Sequence, residues 1–449
     1  MRILSHIAAL VATLVLLAQP AAAQSVLRDA ETEALLNDMT APLAEAAGLD
    51  PKNVDIVLLN DPSINAFVAG GQRVYIHSGL IEAAQDAGEV QGVIAHELGH
   101  VTGGHIVRYS EGAGVANKIS LLSLLVGVAA AAAGAGDAAM GLMMAGQRAA
   151  LGKFLAFSRV QEASADAAGA EYLSGAGISG KGSLAFFGKL QSQEFRYGVS
   201  QDDDAAFTRT HPLSGDRIAT LRESYLKDPA WERPTDPELQ RRFLRARAKL
   251  IGYLSEPKRV IASYSGADVP SRYARAYALH REARVDEALQ EAEALMAAEP
   301  DNPYFMELKG QILLESGRPA EALTPLRRAT ELTRNEPLIA SIFGHALIAT
   351  EDRANYDEAT QVLKTSVARD RLNPFAWYQL GIIYAQQGDM PRARLASAEQ
   401  QVMAGNYPEA IRSAGFAENG LERGSPDWLR AQDIGFEARA ALEQARERR

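Results

Sequence analysis

There is no cysteine among the 449 residues. That excludes disulfides as a support of the fold, thiolates as metal ligands, and lipid attachment through a cysteine. Any metal site must use His, Asp and Glu. Histidine is itself scarce, at 8 residues, so histidines clustered at a meaningful spacing carry information. Positive charge is in deficit: 46 Lys and Arg against 56 Asp and Glu leave a net charge of -10. The balance argues against nucleic acid or an anionic lipid surface as the main partner. A full-length transmembrane run is also missing. Residues 119–135 are uncharged, but seventeen residues fall short of the ~20 that a spanning helix needs.

What is present begins with a secretory pattern. Arg2 gives a short positive region, residues 7–17 an apolar core, and Ala21-Ala22-Ala23 a small-residue cleavage site before Gln24. The expectation is a signal peptide over 1–23, with export to the periplasm. An uncleaved membrane anchor is the other reading. Hydrophobic content of 47% and charged content of 23% are ordinary for a globular chain long enough for two or three cores.

Residues 28–47 suit an amphipathic helix ending at Gly48. Three short β-branched runs follow at 54–60, 66–69 and 74–77, and Gly70-Gly71 between the last two predicts a hairpin in a small sheet. Ser78 is placed to N-cap the next helix, and a further helix is expected over 87–105. The Ala-, Gly-, Leu- and Met-rich stretch 113–147 predicts two short apolar helices forming a hairpin. It either touches a membrane or lid surface, or packs as a buried pair; its small residues fill a dense core poorly, which favours peripheral membrane contact. A separate helix is expected over 151–174, ending at Gly175 and Gly177. Residues 200–210 read as a solvated acidic loop.

From residue 271 the text becomes helical and repetitive. Asp286-Glu287-Ala288-Leu289, Ala320-Glu321-Ala322-Leu323 and Asp357-Glu358-Ala359-Thr360 recur 34 and 37 residues apart. Pro300, Pro337 and Pro374 close successive units, and Gly310, Gly344 and Gly381 mark close helix–helix approaches. Trp377-x-x-Leu380-Gly381-x-x-Tyr384 spells the tetratricopeptide signature. The fold class expected is α+β, mainly α: a first domain with a small sheet over 24–226, which carries the chemistry described next, a helical connector over 227–270, and an all-α tetratricopeptide solenoid over 271–449.

The chemistry sits in His96-Glu97-Leu98-Gly99-His100. On a helix His96 and His100 lie one turn apart on one face, so both imidazoles can reach one Zn²⁺ at about 2.0–2.1 Å. Glu97 lies beside them, placed to take a proton from water and return it to a leaving amine. A third ligand is needed. The pattern that would use a His at 106 meets Ile106 instead, with His105 one place early, so His105 is read as structural or as a support behind a ligand. Glu162 and Asp166, four apart on another helix, are the better candidates: Glu162 as ligand, Asp166 as acceptor for the free N–H of a ligand histidine. The competing reading of this pair is an exposed acidic helix face. One Zn²⁺ per chain is expected.

These motifs, with Asn65-Ala66-Phe67, Tyr75-x-x-x-Gly79-Leu80 and Thr210-His211-Pro212-Leu213-Ser214-Gly215-Asp216-Arg217-Ile218, resemble the HtpX-like and BepA-like gluzincin metallopeptidases. The resemblance implies zinc-dependent endopeptidase activity, outer-membrane quality control beside the β-barrel assembly machinery, and misassembled envelope proteins as substrates. It implies that His211 works at the active site, either donating to the oxyanion or plugging the metal's open position, and that Arg217 packs or pairs nearby to hold that loop. It also suggests that Asn65, Ala66 and Phe67 belong to an edge strand receiving extended substrate, although an ordinary strand is as good a reading. His77 is read as non-catalytic.

Two further function classes stay open. One is a tetratricopeptide adaptor or chaperone with a latent protease site. The other is an integral membrane protease with 119–147 in the bilayer. The complete set of His96, Glu97, His100 and Glu162 favours an active peptidase, since a scaffold has no use for it.

Overall fold

The structure, a computed structural model, describes residues 25–132, 136–197 and 215–447. The signal sequence, the acidic loop 200–210 and His211 lie outside the described residues. The chain divides into two compact units. One holds Thr40–Ala84 and Gly88–Pro234; the other holds Arg28–Met39, Gln85–Ala87 and Thr235–Arg449.

The first unit contains a four-stranded sheet of β1 (Val26–Leu27), β2 (Asp55–Leu59), β3 (Ala66–Ala69) and β4 (Arg73–His77), in the order β1-β2-β4-β3. β2 and β4 run parallel from Asp55 opposite Arg73 to Leu59 opposite His77, while β3 returns antiparallel along β4. The expected hairpin forms at Gly70-Gly71, whose φ values of 65° and 99° suit glycine and strain other residues. Alternation along β4 buries Val74 and Ile76 and leaves Arg73 and Tyr75 on the other face.

Six helices of this unit matter to the site. α1 (Ala30–Ala46) shares its residues between the two units and stops before Gly48, at φ 72°. α2 (Ser78–Ala83) departs from the expectation. His77 is its N-cap residue, and the Ser78 hydroxyl donates instead to the carbonyl of Asp61. α3 (Ala87–Thr102) carries the His96–His100 motif and ends three residues before His105, which opens α4 (His105–Ala132). Gly103 and Gly104 make that break; Gly104 sits at φ 62°, and a side chain on Gly103 would overlap the His105 ring.

α5 (Gly136–Gly175) is a 40-residue helix that absorbs both the second apolar arm and the helix expected as a separate element over 151–174. The reason is compositional: Ala, Leu, Met and Gln are good helix formers and no proline interrupts the run. α4 and α5 pack as an antiparallel pair, with Gly146 so close to Ser123 that a side chain there would collide. α6 (Lys181–Tyr197) completes the set used below.

The core of this unit lies around α3, where every residue from 88 to 100 is buried. A helix buried on all faces is a core helix, and its polar members need partners. Glu89 has one in the Lys189 ammonium at 2.6 Å.

The second unit is helical from Pro237 to Glu447 among its described residues beyond 235. Helix pairs recur from Val269–Arg281 and Val285–Ala298 through Pro374–Gln386 and Met390–Met403. Pro337 and Pro374 are first residues of their helices rather than ends of units, with Glu336 and Asn373 capping from the preceding position. Proline suits that first position because its missing N–H has no helical acceptor there. Gly310 and Gly344 take the side chains of Leu326 and Leu363 at distances a Cβ would not allow, whereas Gly381 has ordinary room.

Candidate metal centre

Two helices meet at this site because small residues let their backbones touch. A Cβ on Gly99 would lie 2.6 Å from the carbonyl oxygen of Ala165, and one on Gly169 would lie 3.1 Å from the backbone of Ala95. α3 and α5 therefore approach with glycine facing alanine on each side. Gly99 sits inside the histidine motif, and Ala165 sits between Glu162 and Asp166. The close approach brings the two sequence signals together.

Among the described residues, His96, His100 and Glu162 form a buried group whose donor atoms all lie within 4.8 Å of one another. His96 Nε2 is 3.1 Å from His100 Nε2. Glu162 Oε2 is 3.4 Å from His96 Nε2, and Oε1 is 3.4 Å from His100 Nε2. Two ring nitrogens pointing at each other beside a carboxylate need a proton or a cation between them. Tetrahedral zinc with bonds of about 2.0–2.1 Å would set its donors roughly 3.4 Å apart. The donor set and its spacing fit a divalent metal.

Each ring's second nitrogen is engaged. His96 Nδ1 lies 2.9 Å from Asp166 Oδ1, an N–H to carboxylate contact that turns Nε2 toward the site as a lone-pair donor. His100 Nδ1 lies 2.9 Å from His105 Nδ1. Burial holds His105 below the usual imidazole value, with Arg108 adding to the effect against the pull of Glu162. With a neutral His105 accepting at Nδ1, the His100 N–H donates to it and His100 Nε2 faces the site as a lone-pair donor. His105 therefore stands behind His100 as Asp166 stands behind His96. The sequence placed it there only as one of two readings.

Arg217 closes the arrangement. Its Nε donates to Asp166 Oδ2 at 2.7 Å and its Nη2 to Asp166 Oδ1 at 2.9 Å, while Nη2 also lies 3.1 Å from Glu162 Oε2. Burial raises the Asp166 carboxyl, but hydrogen bonds from His96 and Arg217 outweigh it and hold the group below its ordinary value. Burial likewise disfavours charge on His96, yet its bonds to Asp166 and Glu162 prevail and push it up to about 10. Without a cation at the site, a proton takes that place. Glu162 and Asp166 are 3% and 6% exposed, which overturns the reading of this pair as a solvated acidic face.

Glu97 is fully buried on α3, next to the ligand pair. Phe187 of α6 supplies a wall that the sequence did not signal: the His96 ring meets it edge-on at 6.0 Å, and the Arg217 guanidinium lies 6.0 Å from its centroid. The strand residues form a separate group. Asn65 is buried and its carbonyl accepts from the His77 N–H; Ala66 begins β3; Phe67 stacks on Tyr75 at 4.9 Å. β3 is an edge strand of the described sheet. His77 is held by Ser63 Oγ at 2.7 Å.

Comparison with known proteins follows the same division. Residues 30–225 match the model for peptidase family M48, and residues 273–337 and 349–410 match a tetratricopeptide repeat model. The beta-barrel assembly-enhancing protease of Escherichia coli K12 is 26% identical over 379 residues, covering 82% of this chain and 75% of that protein. Its namesake in Yersinia pestis is 25% identical over 83% of this chain and 76% of its own length. The metalloprotease LoiP of Escherichia coli K12 is 33% identical over 40% of this chain and 64% of its own length.

Proposed function

We propose that the chain is a zinc metalloendopeptidase of the bacterial cell envelope with an appended repeat array, a reading supported by the match of residues 30–225 to the peptidase family M48 model and of residues 273–337 and 349–410 to a tetratricopeptide repeat model. The observation that carries this reading is the buried group of His96, His100 and Glu162, each with its own supporting partner.

In this reading His96, His100 and Glu162 hold one zinc ion. A bound zinc ion supplies Lewis acidity, polarising a substrate carbonyl and making water more acidic. The chain's own residues do the rest. The Glu97 carboxylate takes the proton from the attacking water and delivers it to the leaving amine, a contribution of about 10²–10⁴ in rate. Asp166 and His105 fix the two imidazoles as Nε2 donors, and Arg217 holds Asp166 and Glu162 in place. His211 donates to the oxyanion or covers the site at rest, and Asn65, Ala66 and Phe67 pair with an extended substrate along the sheet edge.

Relatives named as beta-barrel assembly-enhancing proteases support a substrate class of misassembled envelope proteins, with the repeats docking on the barrel assembly machinery and assisting as a chaperone. The 1–23 sequence pattern supports periplasmic delivery. The adaptor reading has less behind it, since a latent site needs neither the ligands nor the residues behind them.

Metal analysis combined with degradation of a misfolded barrel protein tests the proposal. Wild type should bind one zinc and degrade the substrate; Glu97→Gln should retain zinc and lose at least a hundredfold in rate. A zinc-free wild type, or equal activity in the two proteins, would sink it.

A further inference from the structure

A groove in the repeat unit lies between the helices Tyr356–Arg369, Pro374–Gln386 and Met390–Met403, with the helix Pro426–Glu447 at one side. It encloses about 350 Å³, room for one or two side chains but not for a helix. Val367, Leu380, Leu395 and Ala396 give it a buried apolar floor. Trp377 and Tyr384, both half-buried, stand as aromatic walls. The Trp377 indole N–H already donates to the Arg371 carbonyl at 2.9 Å, so the ring offers an occupant apolar surface.

Charge indicates what else the occupant carries. Arg430 grips both oxygens of the buried Glu399 at 2.6 and 2.7 Å, and Arg392 pairs with Asp427 at 2.7 Å. Those pairs neutralise the two carboxylates of the rim. Lys364 and Arg371 are left over, and both are exposed. Among the described residues Lys364 has no ion-pair partner, and Arg371 reaches only Glu399, at 3.8 Å and already held by Arg430. The groove in the same place two repeats earlier shows that this surplus is not a property of the repeat itself. There Met306, Leu313 and Arg328 hold the places of Trp377, Tyr384 and Glu399. Its cations are all matched, Lys309 to Glu293, Arg318 to Glu321 and Arg328 to Glu331.

The later groove therefore asks for an anion beside an apolar, preferably aromatic, body. Inside an extended chain successive side chains point to opposite faces, so an internal Asp or Glu carries its charge away from an apolar neighbour. A chain's last residue holds a side chain and a carboxylate on one Cα. We propose that this groove captures the C-terminal end of a polypeptide whose last residue is aromatic, the ring against Trp377 and Tyr384 and the carboxylate paired with Lys364 and Arg371. None of these residues belongs to the metal centre, so the site does not depend on the peptidase reading, and its test measures no proteolysis.

The test uses the full chain and the peptide Ser-Gly-Ser-Gly-Ser-Phe, labelled with fluorescein at its N-terminus and read by polarisation. The free acid should bind, and less tightly at high salt. Its C-terminal amide should bind about tenfold more weakly, as should a free acid ending in Ser. Lys364→Glu/Arg371→Glu changes two exposed residues and should also weaken binding at least tenfold. Ala368→Trp, at an exposed position on the rim, should block the groove without touching its charges. Lys258→Glu/Arg353→Glu makes the same charge change at exposed positions outside the groove and should bind as wild type does. The proposal is overturned if acid and amide bind equally, or if an amidated peptide with an internal Phe-Asp binds as tightly as the free acid. It is also overturned if the groove variants bind as wild type does, if the outside control loses as much as they do, or if the free acid gives no change in polarisation.

Discussion

A histidine has two ring nitrogens and each needs an occupation. At His96 and His100 one nitrogen of each faces the shared site, and the other meets Asp166 or His105. Supporting partners of this kind are worth about 10–100-fold in metal affinity. His105→Ala should therefore weaken zinc binding by that factor, read by chelator competition, while the folded chain keeps its secondary structure. Unchanged affinity would mean that His105 only fills space. Arg217→Leu is expected to do more, because breaking a buried ion pair costs about 3–5 kcal/mol. Arg217→Lys should rescue it only partly, since a single ammonium cannot reproduce the two-pronged contact with Asp166. His96, Glu97 and His100 were legible as a motif because helical spacing alone puts both rings on one face. His105 was legible only as one of two readings, because its distance from His100 depends on the break at Gly103-Gly104, which the periodicity of a continuous helix does not reveal.

At the scale of elements, the site exists because α3 and α5 pack backbone against backbone. Gly99→Val would place side-chain atoms where the Ala165 carbonyl now sits. Overpacking costs about 1–3 kcal/mol in an ordinary core, and here it also pushes Glu162 away from the histidines. The expectation is a lower melting temperature together with loss of zinc, whereas Gly114→Val, on a residue with open space around it, should bind zinc as before. If Gly99→Val binds zinc normally, the helices have more freedom than the close contact implies. Glu162 and Asp166 could be nominated from the sequence by their four-residue spacing. Which way their face turned was open until α5 was seen against α3. The hairpin shows the reverse case: its composition suggested two apolar arms, but no local signal marked α5 as one helix from arm to ligand.

At the scale of the whole molecule, the repeat unit takes in residues from far away in the sequence. Arg28–Met39 belongs to it, and Glu31 meets Arg245 at 2.5 Å and the Tyr273 hydroxyl at 2.8 Å. Lys249 is buried in the same cluster, paired with Asp29. Burial there pushes the Glu307 carboxyl up to about 8, although Lys249 pulls the other way. A folded value above the ordinary 4.5 means that the folded chain keeps a proton the unfolded chain releases. Stability contributed by this group should therefore fall as pH rises through that window and level off above about 8. Glu307→Gln should flatten the slope of melting temperature between about pH 5 and 8; an unaltered slope would assign it to other groups. Metal removal acts on the same scale. If zinc is present at a thousand times its dissociation constant, chelation should cost about 4 kcal/mol, seen as a drop in melting temperature that added zinc reverses.

By itself the sequence determined what depends on short spacings: the histidine motif, the β3–β4 hairpin at Gly70-Gly71, the tetratricopeptide period, and the exclusion of any thiolate site. Those features follow from helix and strand periodicity and from residue chemistry, which are local. Only the tertiary structure decided which partners stand behind the ligands, that the Glu162–Asp166 face is buried, that Phe187 lines the site, and that residues 28–39 belong with the repeats. Apart from His105, five residues from His100, each of these joins segments separated by tens or hundreds of residues. Such contacts are set by which surfaces can pack closely enough, and in this chain that was decided by small residues such as Gly99, Gly146 and Gly169 that allow backbones to meet.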